Sequence, residues 1–160
     1  MAAHVVVLAN RTAASRELIE ALVHRSERGP IVATLVMPAA AAGTAGRAAA
    51  KERLDAALEA WRAAGIERCG GVVCDPAPFE AFTEVWDPLR HDEVIVCTLP
   101  GESSRWARSD LPHMVARYTG VSVLHVVAQD PALERAPSPP PVHSKPAMGP
   151  LSVLSWGGPR

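Results

Sequence analysis

Five short runs of mainly apolar residues recur along the first 127 positions of the chain, separated by stretches with a different periodicity. They cover residues 5–9, 31–37, 71–74, 94–98 and 121–127. The first run is apolar at every position, which is typical of a strand buried on both faces. Strands that alternate with helices are joined by right-handed crossovers. The pattern therefore predicts a doubly wound α/β fold, with a five-stranded parallel sheet and helices on both faces.

The intervening stretches repeat their apolar residues at the spacing of a helix. Helices are predicted from Leu18 to the stop at Gly29-Pro30, over residues 47–64, over residues 79–86 and over residues 111–118. Thr12 is positioned to cap the first helix and Asp110 the last, because both side chains can accept hydrogen bonds from free N–H groups of a first turn. Residues 39–46 are mostly alanine and glycine, and a mobile connection is predicted there.

The composition changes after residue 130. Residues 131–150 contain seven prolines, and such a segment cannot bury enough apolar surface to offset the entropy of ordering it. We therefore expect one domain over residues 1–130 and a disordered tail over residues 131–160. Residues 151–156, with the sequence LSVLSW, leave open the alternative of a short docking peptide.

Charge and cysteine usage narrow the class of protein. The formal net charge is −1, which gives no overall attraction to nucleic acid or to an anionic membrane. No apolar run approaches the roughly 18 residues of a membrane span, and the first residues show no signal-peptide pattern. The three cysteines, Cys69, Cys74 and Cys97, lack paired C-x-x-C spacing. These features predict a reduced, cytoplasmic protein without nucleic-acid or membrane partners.

Four short segments near strand ends carry a resemblance to a known family. They are NRTAAS at 10–15, VMP at 36–38, DP at 75–76 and SVLHV at 122–126. All four resemble segments of the universal stress protein family. Residues 10–15 resemble its Asp-Gly-Ser-x-x-Ser segment, and residues 122–126 its Pro-Val-Leu-Val-Val final strand. Residues 36–38 resemble its second-strand ending, and residues 75–76 its turn after strand 3. The resemblance extends over about residues 4–127. It implies an adenine nucleotide alpha hydrolase-like fold with strand order 3-2-1-4-5 and a ligand crevice between strands 1 and 4.

The ATP-binding motif of that family, Gly-x2-Gly-x9-Gly-Ser/Thr, is largely absent from this chain. Gly101 is the only glycine between Thr98 and Gly120, and Ser109-Asp110 stands where the family has Gly-Ser. Glycines let the backbone approach phosphates closely, so larger side chains should obstruct a triphosphate. A carboxylate at the cap of the last helix would also occupy its N–H donors and repel phosphate. We therefore expect smaller phosphorylated ligands to bind better than ATP.

The candidate site comprises the loop after strand 1 and the loop after strand 4. These loops offer hydroxyl, amide and guanidinium donors that can bind phosphate, the guanidinium groups in a bidentate manner. The predicted ligand-binding residues are Asn10, Thr12, Thr98, Gly101, Ser103, Ser104, Arg105 and Arg108. The alternative is that both arginines are solvated or pair with Glu102 and Asp110. Trp106 is expected either to pack the second loop against the domain or to stack on a base.

Other chemistry has little support in the sequence. Ser103, Ser104 and His113 could supply a nucleophile and a base, but no G-x-S-x-G segment is present. Cys74 and Cys97 end strands that are not neighbours in the implied order. Buried thiols are therefore favoured there over a metal site.

We expect a non-catalytic, universal-stress-protein-like regulatory module that binds a nucleotide or another phosphorylated small molecule. Two alternatives stay open: a degenerate member acting only as a dimeric protein-interaction scaffold, and an enzyme acting on a nucleotide-like substrate.

Residues 121–127 form an edge strand in the implied order, and members of the family pair through it, so a homodimer is predicted. Trp61 and Trp86 are expected in the core, and His125 at the surface or in an interface.

Overall fold

Five parallel strands form one sheet in the computed structural model of the chain, which describes residues 1–100 and 105–129 apart from the side chains of residues 107 and 108. The strands are β1 (Ala3–Leu8), β2 (Ile31–Pro38), β3 (Cys69–Cys74), β4 (Glu93–Thr98) and β5 (Val123–Val127). Their order across the sheet is β3-β2-β1-β4-β5, and every neighbouring pair is parallel. The doubly wound α/β fold and the predicted strand order are confirmed.

Helices connect the strands and pack on both faces of the sheet. They are α1 (Arg16–Glu27), α2 (Thr44–Ala63), α3 (Pro78–Val85), α4 (Arg105–Arg108) and α5 (Leu111–Thr119). Helix α4 is a single turn in the loop after β4, where the sequence predicted no element. Helix α2 begins at Thr44, so the connection predicted over residues 39–46 is shorter than expected. Strand β5 begins at Val123 rather than at residue 121.

Of the two predicted helix caps, Thr12 is wrong, whereas Asp110 occupies the predicted N-cap position of α5 without a side-chain capping bond. Ser15 rather than Thr12 caps α1, because the Ser15 hydroxyl accepts a hydrogen bond from Leu18 N at 3.3 Å. Asp110 precedes α5 with a φ of 56°, in the left-handed region, and its side chain makes no capping hydrogen bond. A capping side chain reaches the first-turn N–H groups from extended backbone. The backbone conformation at Asp110 therefore explains why its carboxylate does not cap the helix.

The core consists of two apolar layers, one on each face of the sheet. Helices α1 and α2 cover one face, where Leu18, Leu22 and Trp61 are fully buried. Helices α3 and α5 cover the other face, where Phe82 is fully buried and Trp86 is partly buried. Alternate residues of β1 and β4 belong to the two layers, which is why both strands read as continuous apolar runs.

The two edge strands of the sheet carry exposed apolar side chains. Val72 on β3 is 39% exposed, and Leu124 and Val127 on β5 are 51% and 45% exposed. The tail predicted over residues 131–160 lies outside the described residues. Among the helices that are described, none is long and apolar enough to cross a bilayer.

Candidate functional site

A crevice with two lobes opens at the carboxyl edge of the sheet, where β1 and β4 end side by side. The small lobe has a volume of about 190 Å³ and the large lobe about 430 Å³. Asn10, Arg105 and Trp106 line both lobes, so the two adjoin. The strand order reverses between β1 and β4, and ligands bind at such switch points in open α/β sheets.

The two lobes differ in the chemistry of their walls. The small lobe lies between β1 and β4; it is lined by Asn10, Arg11, Thr12, Cys97, Thr98, Leu99, Arg105 and Trp106. The large lobe extends toward the ends of β2 and β3; it is lined by Asn10, Pro38, Ala39, Ala40, Pro76, Pro78, Arg105, Trp106 and Ser109. Hydroxyl groups are concentrated in the first lobe, and prolines and alanines in the second.

The loop between β1 and α1 is fastened to its neighbours by hydrogen bonds. Thr12 Oγ1 donates to the Cys97 carbonyl oxygen at 3.1 Å, which joins this loop to the end of β4. Trp61 Nε1 donates to the Ala13 carbonyl oxygen at 2.9 Å, which joins it to α2. Both contacts are buried, so the floor of the small lobe is held from two sides.

Asn10 connects the end of β1 to the end of β2. Its Nδ2 donates to the Pro38 carbonyl oxygen at 2.8 Å, and this bond fixes which way the amide faces. Its Oδ1 is buried and accepts no hydrogen bond from any residue in the described part of the chain. Asn10 lines both lobes and so forms part of the boundary between them.

Thr98 ends β4 and is only 1% exposed. Its carbonyl oxygen accepts from Ala128 N at 2.8 Å, and its hydroxyl lies 2.7 Å from His125 Nε2. His125 is exposed on the edge strand β5, in agreement with the predicted surface position. The sequence nevertheless gave no sign of its contact with a residue of the crevice, because that contact depends on the register of β5 against β4.

Arg105 and Trp106 belong to α4 and form the outer wall of the crevice. Arg105 is exposed and lines both lobes. Trp106 is half-buried and packs against the apolar layer under α3 and α5, as the packing alternative predicted, and it also faces both lobes. Arg105 and Asp110 are both described, and no salt bridge joins them, so the alternative in which Arg105 pairs with Asp110 is not seen.

The structure brings together Asn10, Thr12, Thr98 and Arg105 of the eight predicted ligand-binding residues. Gly101, Ser103 and Ser104 lie outside the described residues, as does Glu102, and the side chain of Arg108 is not described. The sequence reasoning missed the wall of the large lobe, formed by Pro38, Ala39, Ala40, Pro76 and Pro78. The sequence predicts a strand end at Pro38, a connection at Ala39 and Ala40 and a turn at Pro76, and only the tertiary structure shows that these residues share one cavity.

Cys97 lines the small lobe but is poorly suited to act as a nucleophile. It is 1% exposed, and burial raises the pKa of its thiol, so the reactive thiolate is disfavoured. Burial likewise raises the pKa of the Cys74 thiol at the end of β3. The two residues are buried thiols, as predicted. Within the described ranges, no group of three or more His, Cys, Asp or Glu side chains is arranged to hold a metal ion.

The position of Asp110 changes the electrostatic argument about phosphate. Its carboxylate is exposed and makes no capping hydrogen bond, so it does not occupy the N–H groups at the start of α5. Its negative charge is still close in sequence to Arg105 and Ser109 of the crevice wall. Of the two effects that were expected to disfavour phosphate, occupation of the N–H donors is absent and only the Coulombic repulsion by the carboxylate remains.

A comparison of the sequence with protein-family models finds no matching family, and a comparison with curated proteins finds no significant match. The resemblance to universal stress proteins therefore rests on the four strand-end segments and stays a prediction.

Proposed function

We propose that the protein is a non-catalytic, universal-stress-protein-like regulatory module whose crevice binds a nucleotide or another phosphorylated small molecule. The observation that carries the proposal is the crevice at the strand-order reversal. There Asn10, Thr12, Thr98 and Arg105 meet beside the indole ring of Trp106. The three cysteines are free, which agrees with a reducing cytoplasmic location, and we place the protein there.

The sizes and walls of the lobes favour a ligand with one flat ring and few phosphates. Together the lobes fall within the range of roughly 300–1,000 Å³ that is usual for small-molecule pockets. Proline and alanine side chains with the Trp106 indole suit the faces of a planar ring in the large lobe. The Arg105 guanidinium can bind a phosphate oxygen pair at the junction of the lobes. A nucleoside monophosphate has this combination of groups.

Isothermal titration calorimetry with AMP, ATP and inorganic phosphate tests the proposal. We expect AMP to bind more tightly than ATP, because the loop lacks the glycines that admit a triphosphate. Replacing Arg105 by alanine should weaken AMP binding about tenfold, the lower end of the range for a hydrogen bond to a charged group.

The matched control is Arg90→Ala. It removes an exposed arginine from the turn before β4, at the amino ends of the strands and therefore away from the crevice. This variant should bind AMP as the unaltered protein does. If Arg105→Ala also binds AMP with unchanged affinity, the assignment of Arg105 to the ligand is wrong. Turnover of the bound ligand would contradict the non-catalytic part of the proposal.

A dimeric scaffold is the second candidate function, and the exposed edge strand β5 favours it. Leu124 and Val127 lie on an edge that no other described element covers. An uncovered apolar edge tends to pair with another chain. We propose a homodimer through β5, with Ser122, Leu124 and Val126 close to the twofold axis. Failure of every phosphorylated ligand to bind at millimolar concentration would leave this scaffold as the better account.

A further inference from the structure

The contact between Thr98 and His125 links the small lobe of the crevice to the edge strand β5. In the sheet register Thr98 lies opposite Val127, and His125 lies opposite Val96. Residues two apart on a strand project from the same face, so the side chains of Thr98 and His125 are diagonal neighbours on one face. Their polar atoms, Thr98 Oγ1 and His125 Nε2, are 2.7 Å apart.

The chemistry of these two groups restricts how the pair can meet a ligand. A threonine hydroxyl has one proton to donate, and it can also accept hydrogen bonds on its oxygen. A neutral imidazole carries its proton on either Nδ1 or Nε2. When Nε2 lacks the proton, the Thr98 hydroxyl must donate to it. When Nε2 carries the proton, Thr98 accepts that hydrogen bond and its own proton is free for another acceptor.

We propose that His125 is a positioning residue of the crevice, and that it turns the proton of Thr98 toward an anionic oxygen bound in the small lobe. This inference rests on the proposed function. A phosphate or carboxylate oxygen without a proton only accepts hydrogen bonds, so Thr98 must donate to it. Binding of the anion therefore requires a proton on His125 Nε2. Because His125 is exposed, its Nδ1 can form a hydrogen bond with water.

A double-mutant cycle at Thr98 and His125 measures this coupling, with AMP and inorganic phosphate as the probes. His125→Leu removes the donor and should weaken binding about two- to tenfold, the range for one neutral hydrogen bond. His125→Gln keeps an N–H donor at nearly the same distance along the side chain and should bind within about twofold of the unaltered protein. Thr98→Ser keeps the hydroxyl and is the matched control for Thr98→Val.

The cycle separates a positioning role from a merely structural one. If His125 acts through the Thr98 hydroxyl, His125→Leu should have no further effect on affinity once Thr98 is replaced by valine. If the two substitutions weaken binding additively, or His125→Leu has no effect on affinity, the inference is wrong. Those outcomes, in a protein that binds AMP or phosphate, would overturn this inference and leave the proposed function standing. Failure of the unaltered protein to bind either probe would instead overturn the proposed function itself, so the two failures are distinguishable.

Nitrogen-15 NMR of the His125 ring gives a second readout that a change in stability alone would not move. Addition of inorganic phosphate should shift Nε2 to the value of a protonated nitrogen and Nδ1 to that of an unprotonated one. The same addition to Thr98→Val should leave the His125 tautomers unchanged. An Nε2 that stays unprotonated in the phosphate-bound protein would overturn the inference.

Discussion

Three polar side chains in the crevice wall make hydrogen bonds to other parts of the protein. Thr12 donates to the carbonyl oxygen of Cys97, Asn10 donates to that of Pro38, and Thr98 pairs with His125. Side chains held in this way lose little rotational freedom when a ligand arrives, which lowers the cost of binding. At the scale of single residues the crevice is therefore largely formed before any ligand enters it.

His91 is a residue whose contacts predict a pH dependence of stability. Its Nδ1 accepts a hydrogen bond from Asp87 N at 2.9 Å, and its ring lies 5.5 Å from that of Trp86 between centroids. Partial burial lowers the pKa of His91 below its usual value of 6.5. As pH falls below that value, the unfolded chain takes up a proton that the folded chain resists, so the free energy of unfolding decreases.

The decrease should occur between the unfolded pKa of His91 and its lower folded pKa. Urea unfolding at a series of pH values should show that His91→Asn reduces this slope, because asparagine can still accept from Asp87 N and does not titrate. His24→Asn, which removes an exposed histidine from α1, is the control for the loss of one imidazole. An unchanged slope in His91→Asn would show that other groups cause the pH dependence.

At the scale of elements, the close approach of α2 to β3 depends on Gly71. A Cβ atom at Gly71 would lie 2.7 Å from the Leu35 carbonyl oxygen of β2 and 2.7 Å from Leu54 Cδ1 of α2. The leucine methyl can move, but the strand backbone cannot do so without disturbing the β2–β3 pairing. The glycine lets the helix lie directly on an edge strand that is otherwise poorly covered.

Replacing Gly71 by alanine should therefore destabilise the domain by about 1–3 kcal/mol, the usual cost of overpacking. Gly70→Ala is a matched control on the neighbouring residue, because a Cβ there meets no heavy atom within 4 Å. It should be neutral or slightly stabilising, since alanine loses less backbone entropy on folding. Thermal unfolding distinguishes the two variants, and equal melting temperatures would contradict this account of the helix packing.

At the scale of the whole molecule, the sheet has two edges with different chemistry. Strand β3 contains Gly70 and Gly71 and exposes Val72, whereas β5 exposes Leu124 and Val127. A glycine-containing strand pairs weakly, because it has few side chains to pack and more entropy to lose. Strand β5 is therefore the better candidate for pairing with a second copy of the chain.

A lysine at Leu124 should prevent the proposed homodimer, because a charge on an edge strand opposes pairing. Light scattering at micromolar concentration should show a dimer for the unaltered protein and a monomer for Leu124→Lys. Val72→Lys places the same charge on the opposite edge and should remain dimeric. A monomeric unaltered protein with a folded domain would contradict the proposal, and a monomeric Val72→Lys would move the interface to β3.

The sequence by itself determined the order and type of the main elements and, through the resemblance, the strand order of the sheet. The order and type of the elements depend on local patterns: continuous apolar runs mark buried strands, and three- and four-residue spacing marks helices. Local patterns do not specify which strands are neighbours, so the strand order was only what the resemblance implied. Asn10, Thr12, Thr98 and Arg105 could be placed near one another because the carboxyl ends of parallel strands meet at one edge.

Only the tertiary structure decided which partner each polar side chain has. Ser15 caps α1 because the backbone turns before it, and Thr12 bonds to Cys97, 85 residues further along the chain. The contact of Thr98 with His125 depends on strand register, which local spacing does not specify. Hydrogen bonds between distant residues form only where the fold brings donor and acceptor within about 3 Å. For that reason the walls of the crevice could be predicted as elements but not as contacts.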